Sequence, residues 1–146
     1  MLRLKKRKDN ERGSTLVEFA IGVTVFATAM FAVLEFGRVL WAHNALTDAA
    51  RRGARYAVLH SANDIAQVKN VVVFGDSAGT GNPMLPNLSA ENVSVVYNGF
   101  GLNDGTVTVS ITNYQFQLVI PIIGTTITMP SYSTTLTGES AGLIPS

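Results

Sequence analysis

The sequence predicts an α+β protein: a long N-terminal helix, its lower half transmembrane, with a small C-terminal antiparallel β-sheet domain packed on its upper half. Three observations predict it. The run from Leu16 to Leu34 is apolar except for Glu18. A pattern of small residues at helical spacing then continues to Val58 without a helix breaker. Past about residue 90 the apolar residues alternate with period two, the signature of strands with one face buried.

The 146 residues carry a formal net charge of +1, and that small number hides a division. Residues 1–13 hold six basic side chains (Arg3, Lys5, Lys6, Arg7, Lys8 and Arg12) against Asp9 and Glu11, a net of +4. The other five basic and eight acidic residues leave 14–146 at −3. A mildly acidic body argues against nucleic-acid binding, and the Lys5–Lys8 run stands too close to an apolar block to read as a polyanion signal. Cysteine is absent, so disulfides and thiolate chemistry are excluded.

The nineteen residues from Leu16 to Leu34 at about 1.5 Å each span about 28 Å, close to the thickness of a bilayer core. Glu35 ends the run, and Arg38 and Trp41 follow, a cation and an aromatic suited to the interface. Basic residues are favoured on the cytoplasmic side, which puts the N-terminus inside and the body outside. A secretory signal peptide has a shorter apolar core that ends in a small-residue cleavage site, and this run does not. Leu46, Ala49, Ala50, Gly53, Ala54, Ala57 and Val58 recur at three- and four-residue steps and share one helix face. Asp48 stands within reach of Arg51 or Arg52 on the other side. Helix from about residue 14 to 60 would be roughly 70 Å long. The stripe Ala49, Ala50, Gly53, Ala54 and Ala57 is a helix-packing surface, for neighbouring subunits or for the chain's own sheet. The organisation expected is a basic segment at 1–13, a long helix at 14–60 with its transmembrane part at about 16–38, and an outer α+β domain at 61–146.

In that outer domain, Asn63–Val73 reads as a second helix or as a helix leading into a strand at Val71–Phe74. Gly75–Asn87 is a loop of Gly, Asn, Ser and Pro. Strands are expected at Val93–Tyr97, at Val107–Ile111 with Asn98-Gly99 and Asp104-Gly105 between them, at Tyr114–Ile120 interrupted by Pro121, and at the threonine-rich Thr125–Met129 and Tyr132–Leu136. Together they make one small antiparallel sheet.

The sharpest local feature is Arg12-Gly13-Ser14-Thr15-Leu16-Val17-Glu18-Phe19. A basic head ends in glycine, four residues intervene, and a glutamate stands inside the apolar run. This is the layout that a prepilin peptidase reads. Cleavage between Gly13 and Ser14 would leave Ser14 first in the mature chain and Glu18 fifth. A carboxylate at a span's centre costs roughly 2.5–3.5 kcal/mol on insertion scales, and less near an end. The new α-amino cation of a neighbouring subunit could offset that cost and set an axial register. Alternatively, the chain's own amine and helix dipole favour the charge, or the side chain snorkels. Glu35 and Arg38 can pair at the outer edge of the span, and His43 and His60 have no visible companions for a metal site.

The segment from Arg12 to Ala20, the apolar run, and the tract Ala49-Ala50-Arg51-Arg52-Gly53-Ala54-Arg55-Tyr56-Ala57 resemble the TadE-like family, pseudopilins of the tight-adherence (Flp pilus) system. The resemblance covers about residues 12–58 and is looser over the strands. It implies a minor pilin-like subunit in the bacterial inner membrane, with its outer domain periplasmic or extracellular, needed for pilus biogenesis, surface adhesion or secretion. The partners implied are a prepilin peptidase of the aspartyl type, other pilin or pseudopilin subunits, the inner-membrane assembly platform and lipid. No cofactor, nucleic acid or small-molecule substrate is implied. By position, Gly13 and Ser14 flank the scissile bond, and Glu18 and Phe19 mark it for recognition and assembly. Thr24 stands where relatives often carry proline, the usual cause of a sharp kink.

Two other readings compete. The chain could be an uncleaved single-pass anchor that presents a small β-domain. Val71–Ser77 also resembles the strand-to-Gly-Asp-Ser block of GDSL esterases, with Gly101-Leu102-Asn103-Asp104 as its oxyanion block. Serine is a poor nucleophile without a base, however, and no histidine follows His60. About seventy residues after Ser77 are also too few for the remaining α/β layers. The glycines at 75, 79 and 81 lack the Gly-Lys-Ser/Thr of a phosphate loop. The chain is therefore not read as an enzyme.

Overall fold

The computed structural model describes residues 9–99, 105–119 and 126–138, with side chains from Gly13 onward. A single helix, α1, runs unbroken through Asp9–Val58. Contacts divide the chain into Met1–Gly37 and Arg38–Ser146.

The first unit is α1 alone among the described residues. Its apolar side chains lie open, Leu16 and Phe19 each at 70% exposure. Two hydroxyls that would otherwise be unsatisfied in an apolar surround bond backward along the helix, Thr24 Oγ1 to the Ala20 carbonyl at 2.8 Å and Thr28 Oγ1 to the Thr24 carbonyl at 2.8 Å. Thr24 keeps its own backbone N–H, unlike a proline, and the helix continues through it.

The second unit is built around the upper part of α1. The helix ends at Val58, where Leu59 and His60 donate to the carbonyls of Tyr56 and Ala57 in a tightened last turn. A 3-10 turn at Ala62–Asp64 then leads into α2, Ile65–Phe74. Of the two readings of this segment, a second helix or a helix leading into a strand at Val71–Phe74, the structure has the first: those residues are helical to the last. β-branched valines favour strands as isolated residues, but Val68, Val71, Val72 and Val73 are all buried on α2, and that burial overrides propensity. Gly75 ends the helix in the left-handed region at φ 79°, its N–H donating to the Val71 carbonyl at 3.1 Å. The loop after it is tied down by Met84 N–H to the Val73 carbonyl at 2.8 Å, and by burial of Leu85 and Leu88.

The strands are β1 Val93–Asn98, β2 Thr106–Ile111, β3 Gln115–Gln117, β4 Thr126–Thr128 and β5 Tyr132–Thr137. They form two antiparallel sheets instead of the one expected: β1-β2-β5 and β3-β4. Asn113, left-handed at φ 56°, turns the chain after β2 and takes β3 out of the first sheet. The free edge of β2 is then filled by β5, with Val109 opposite Thr134 and Ile111 opposite Tyr132. Asn92 braces this corner by donating to the carbonyls of Thr112 and Asn113 at 3.1 and 3.2 Å. Val107, Val109 and Ile111 of β2 point inward and are fully buried. Outward, Thr108 bonds Thr135 at 2.8 Å and Ser110 bonds Ser133 at 3.0 Å across the strands.

The core joins the α1 stripe to α2 and β2. Ala42, Leu46, Ala49, Ala50, Ala54, Ala57 and Val58 lie in one buried cluster with Val68, Val72, Val107 and Val109. Gly53 is the point of closest approach. A Cβ there would fall inside contact distance of Val72 Cγ2 and lie 3.3 Å from Val109 Cγ1. At Gly37 the same addition meets nothing within 4 Å. Gly53→Ala should therefore lower stability by about 1–3 kcal/mol, the usual cost of overpacking a filled core. Gly37→Ala should leave the midpoint unchanged or raise it through helix propensity. Thermal unfolding of the full chain in detergent micelles compares the two.

Candidate functional site

Two regions of α1 carry the residues singled out by sequence, and they differ in what surrounds them. Gly13, Ser14, Val17, Glu18 and Ile21 line one shallow concavity on the surface of the first unit. Their spacing places them on one helix face over two turns. All five are exposed, and so is Phe19. The Gly13–Ser14 bond lies inside the helix, which already runs from Asp9. Gly13 has nothing within 4 Å of the position a Cβ would take, and its φ is not in the left-handed region. Packing among the described residues therefore gives no reason for glycine at a helix-interior position, where it costs about 1 kcal/mol relative to alanine.

By length and composition, α1 can cross a membrane. It contains an apolar window of mean hydropathy 2.1, none of it buried within the chain. Glu18 stands among exposed Leu16, Val17, Phe19 and Ile21.

The upper stripe is occupied by the chain itself. Ala49, Ala50, Gly53, Ala54 and Ala57 are buried against α2 and β2, so the sheet-side partner is present within the second unit. On the opposite side Asp48 pairs with Arg52 at 3.4 Å, one helical turn apart. Arg52 also donates from Nη2 to Met84 Sδ at 3.0 Å, a contact between α1 and the loop after α2. Sequence spacing gave the first of these pairings and offered no signal for the second.

Both histidines are engaged with tyrosines. His43 Nδ1 and the Tyr132 hydroxyl lie 2.9 Å apart with their rings edge-on. His60 stacks on Tyr56 at 3.8 Å between centroids and donates from Nδ1 to the Tyr56 carbonyl at 2.8 Å, which fixes the proton on that nitrogen. Among the described residues no group of three or more His, Asp or Glu side chains is placed to hold a metal ion. The segment before Ser77 is helix and not the strand an esterase elbow needs. The Ser77 carbonyl accepts from Asn70 Nδ2 at 3.0 Å, and Asp76 accepts from Thr80 Oγ1 at 2.9 Å. That bond and the Ala78 backbone N–H hold the Asp76 carboxyl below its ordinary range. These contacts shape a turn. The proposed oxyanion block, Gly101 to Asp104, lies outside the described residues, as do Pro121 and Lys5 to Lys8.

A third feature had no sequence signal. Arg38 sits over the ring of Phe116, 5.1 Å from its centroid, and both line a groove of about 400 Å³ with Trp41, Tyr114, Leu118 and Val119. The Tyr114 hydroxyl donates to the Pro86 carbonyl at 2.8 Å and closes the groove's inner wall.

Compared with known proteins, residues 13–55 match the model of the TadE-like protein family. The match begins at Gly13, takes in Glu18 and most of the small-residue stripe, and stops before the strands. No curated protein and no solved structure matches the chain.

Burial pushes the hydroxyl of Tyr114 above its ordinary pKa of 10.0, with Arg38 opposing, and pushes Tyr132 and Tyr97 the same way, the latter helped by Asp64. A group whose folded pKa is raised contributes stability that is fully present below its unfolded pKa and is lost as pH rises through the folded one. The chain should thus hold its stability up to about pH 10 and lose it progressively above. Tyr114→Phe should cost about 0.5–1.5 kcal/mol at neutral pH through the lost hydrogen bond and make the alkaline decline shallower. Unfolding midpoints from pH 7 to 11 test both.

Proposed function

We propose that this chain is a minor pseudopilin-like subunit of a tight-adherence pilus, cut by a prepilin peptidase between Gly13 and Ser14 and held in the bacterial inner membrane by the lower half of α1. The observation that carries the reading is Gly13 itself. It sits within a helix, has no neighbour among the described residues that requires it, and precedes by five residues the one charge in an exposed apolar run. A residue that the fold does not need is explained by something outside the chain that reads it.

Glycine also suits the step proposed. A peptidase takes its substrate extended, so the helix must open around the scissile bond. Gly13 lowers the helix's hold on that turn by about 1 kcal/mol and leaves room for a close approach to the backbone. Phe19 and Glu18, both exposed beside the bond, offer an aromatic ring and a carboxylate for recognition. After the cut, Ser14 carries a new amine four residues before Glu18, and the same pairing is open to a neighbouring subunit displaced along a fibre axis. The remaining partners proposed are those of such a fibre: other pilin or pseudopilin subunits and the inner-membrane assembly platform. The outer domain has its core filled by its own helix stripe, which supports a subunit with a folded head and not a bare fibre-forming helix.

The competing reading, an uncleaved anchor, differs in one measurable way. Protein isolated from its own membrane should begin at Ser14, shown by N-terminal sequencing or intact mass. A chain that still begins at Met1 would leave the anchor reading standing. Co-expressed with the cognate peptidase, Gly13→Leu should accumulate uncut. Glu18→Ala should reach the membrane and fold, yet reduce surface fibres. Fibres at the normal level in that variant would remove the inter-subunit role of Glu18.

A further inference from the structure

We propose that Met84 is a site of reversible oxidation, and that the Arg52 guanidinium takes the sulfoxide oxygen, so that oxidation fastens the loop after α2 to α1.

The guanidinium of Arg52 is short of acceptors. Nη1 faces Asp48 at 3.4 Å, Nη2 donates to Met84 Sδ at 3.0 Å, and Nε is buried with no hydrogen-bond partner among the described residues. Arginine only donates, and a thioether sulfur is a weak acceptor. A buried donor left unpaired costs more than an ordinary hydrogen bond returns. An oxygen on Sδ would bring a strong acceptor to the place where Nη2 already points.

The sulfur is held there by backbone. The Met84 N–H donates to the Val73 carbonyl at 2.8 Å. A Cβ on Gly75 would come within 3.1 Å of Sδ, so the thioether lies in the notch that this glycine leaves at the end of α2. Met84 is nevertheless 46% exposed, whereas Met129 is 6% exposed and part of the core. A water-soluble oxidant therefore meets Met84 first in the outer domain.

The oxidant class is a hydroperoxide. Arg52 occupies one sulfur lone pair, and the other attacks a peroxide oxygen. An S–O bond forms as the O–O bond breaks, and sulfur gives up an electron pair. The proton of the attacked oxygen passes to the leaving oxygen, which departs as water or an alcohol. Sulfoxide in an apolar core is disruptive, and it is reversible by reductases. At Met84 the new oxygen meets a cation in place of methyl groups, so the sign of the effect reverses. Rotation about the thioether bonds gives the oxygen its reach to the guanidinium.

The full chain in detergent micelles, treated with hydrogen peroxide, tests this by peptide mass spectrometry and thermal unfolding. Met84 should oxidise well ahead of Met129. Oxidation should raise the unfolding midpoint of the outer domain by about 4 °C, the shift that one hydrogen bond to a charged group gives in a domain of this size. Methionine sulfoxide reductase should reverse the rise. Each variant is compared with its own unoxidised form. Met84→Leu and Arg52→Leu should both lose the rise. Without oxidant, Met84→Gln, whose amide oxygen stands in for the sulfoxide, should unfold at a higher temperature than Met84→Leu, a comparison that leaves Arg52 intact. Oxidation of Met84 no faster than that of Met129 overturns the proposal. So does a midpoint that holds or falls on oxidation, a rise that survives either leucine variant, or Met84→Gln no more stable than Met84→Leu.

Discussion

The close approach of α1 to α2 and β2 at Gly53 is the constraint on which the outer domain depends. A helix of ordinary side chains keeps its neighbours about 8–10 Å from its axis. Removing the Cβ at Gly53, and shortening Ala49, Ala50, Ala54 and Ala57 to methyls, lets Val72 and Val109 come down onto the backbone. Alanines bury little area each, so the apolar volume has to come from the other side. The valines of α2, the inward row of β2, and Leu46, Leu85 and Leu88 supply it. Since the stripe is filled by its own chain, a contact between copies through the upper part of α1 has to use another face, the one that carries Asp48, Arg51 and Arg55.

The same helix is composed differently along its length. Below Gly37 none of the described residues covers its phenylalanines, leucines and valines, and the hydroxyls of Thr24 and Thr28 bond back onto the helix. Above Arg38 one face is dry and packed, and the other holds an ion pair in water. The upper half carries too many charges to serve as a span.

What could be read from sequence follows from how local its cause is. The long helix and the alternating strand β2 were legible because periodicity is a local property, and Val107, Val109 and Ile111 face inward as their spacing requires. The end of α2 was not, since Val71–Phe74 has strand propensity and only long-range burial makes it helix. The division into two sheets was hidden for a related reason. It turns on a left-handed Asn113 and on β5 finding the edge of β2, neither of which leaves a pattern in the strands themselves. Gly13 and Glu18 stood out because each breaks the rule of its own neighbourhood. Arg38 over Phe116 and Arg52 on Met84 did not, because residues far apart in sequence give no warning that they will touch.

The position of Glu18 links these threads. In the full chain α1 already runs from Asp9, so Glu18 lies well inside the helix, beyond the first turn where the dipole favours negative charge. Neither a dipole nor an α-amine then compensates a carboxylate among Leu16, Val17, Phe19 and Ile21. Cleavage at Gly13–Ser14 would move the helix start to Ser14. Glu18 would come to the second turn, at the four-residue spacing where a side chain meets the group at the N-terminus. The two ways of pairing its charge, with the chain's own amine or with a neighbour's, thus share one requirement. Both need the new terminus, so an uncut chain would leave Glu18 only the snorkelling route. That asymmetry gives the glutamate a physical reason to stand five residues after a glycine that the fold does not use.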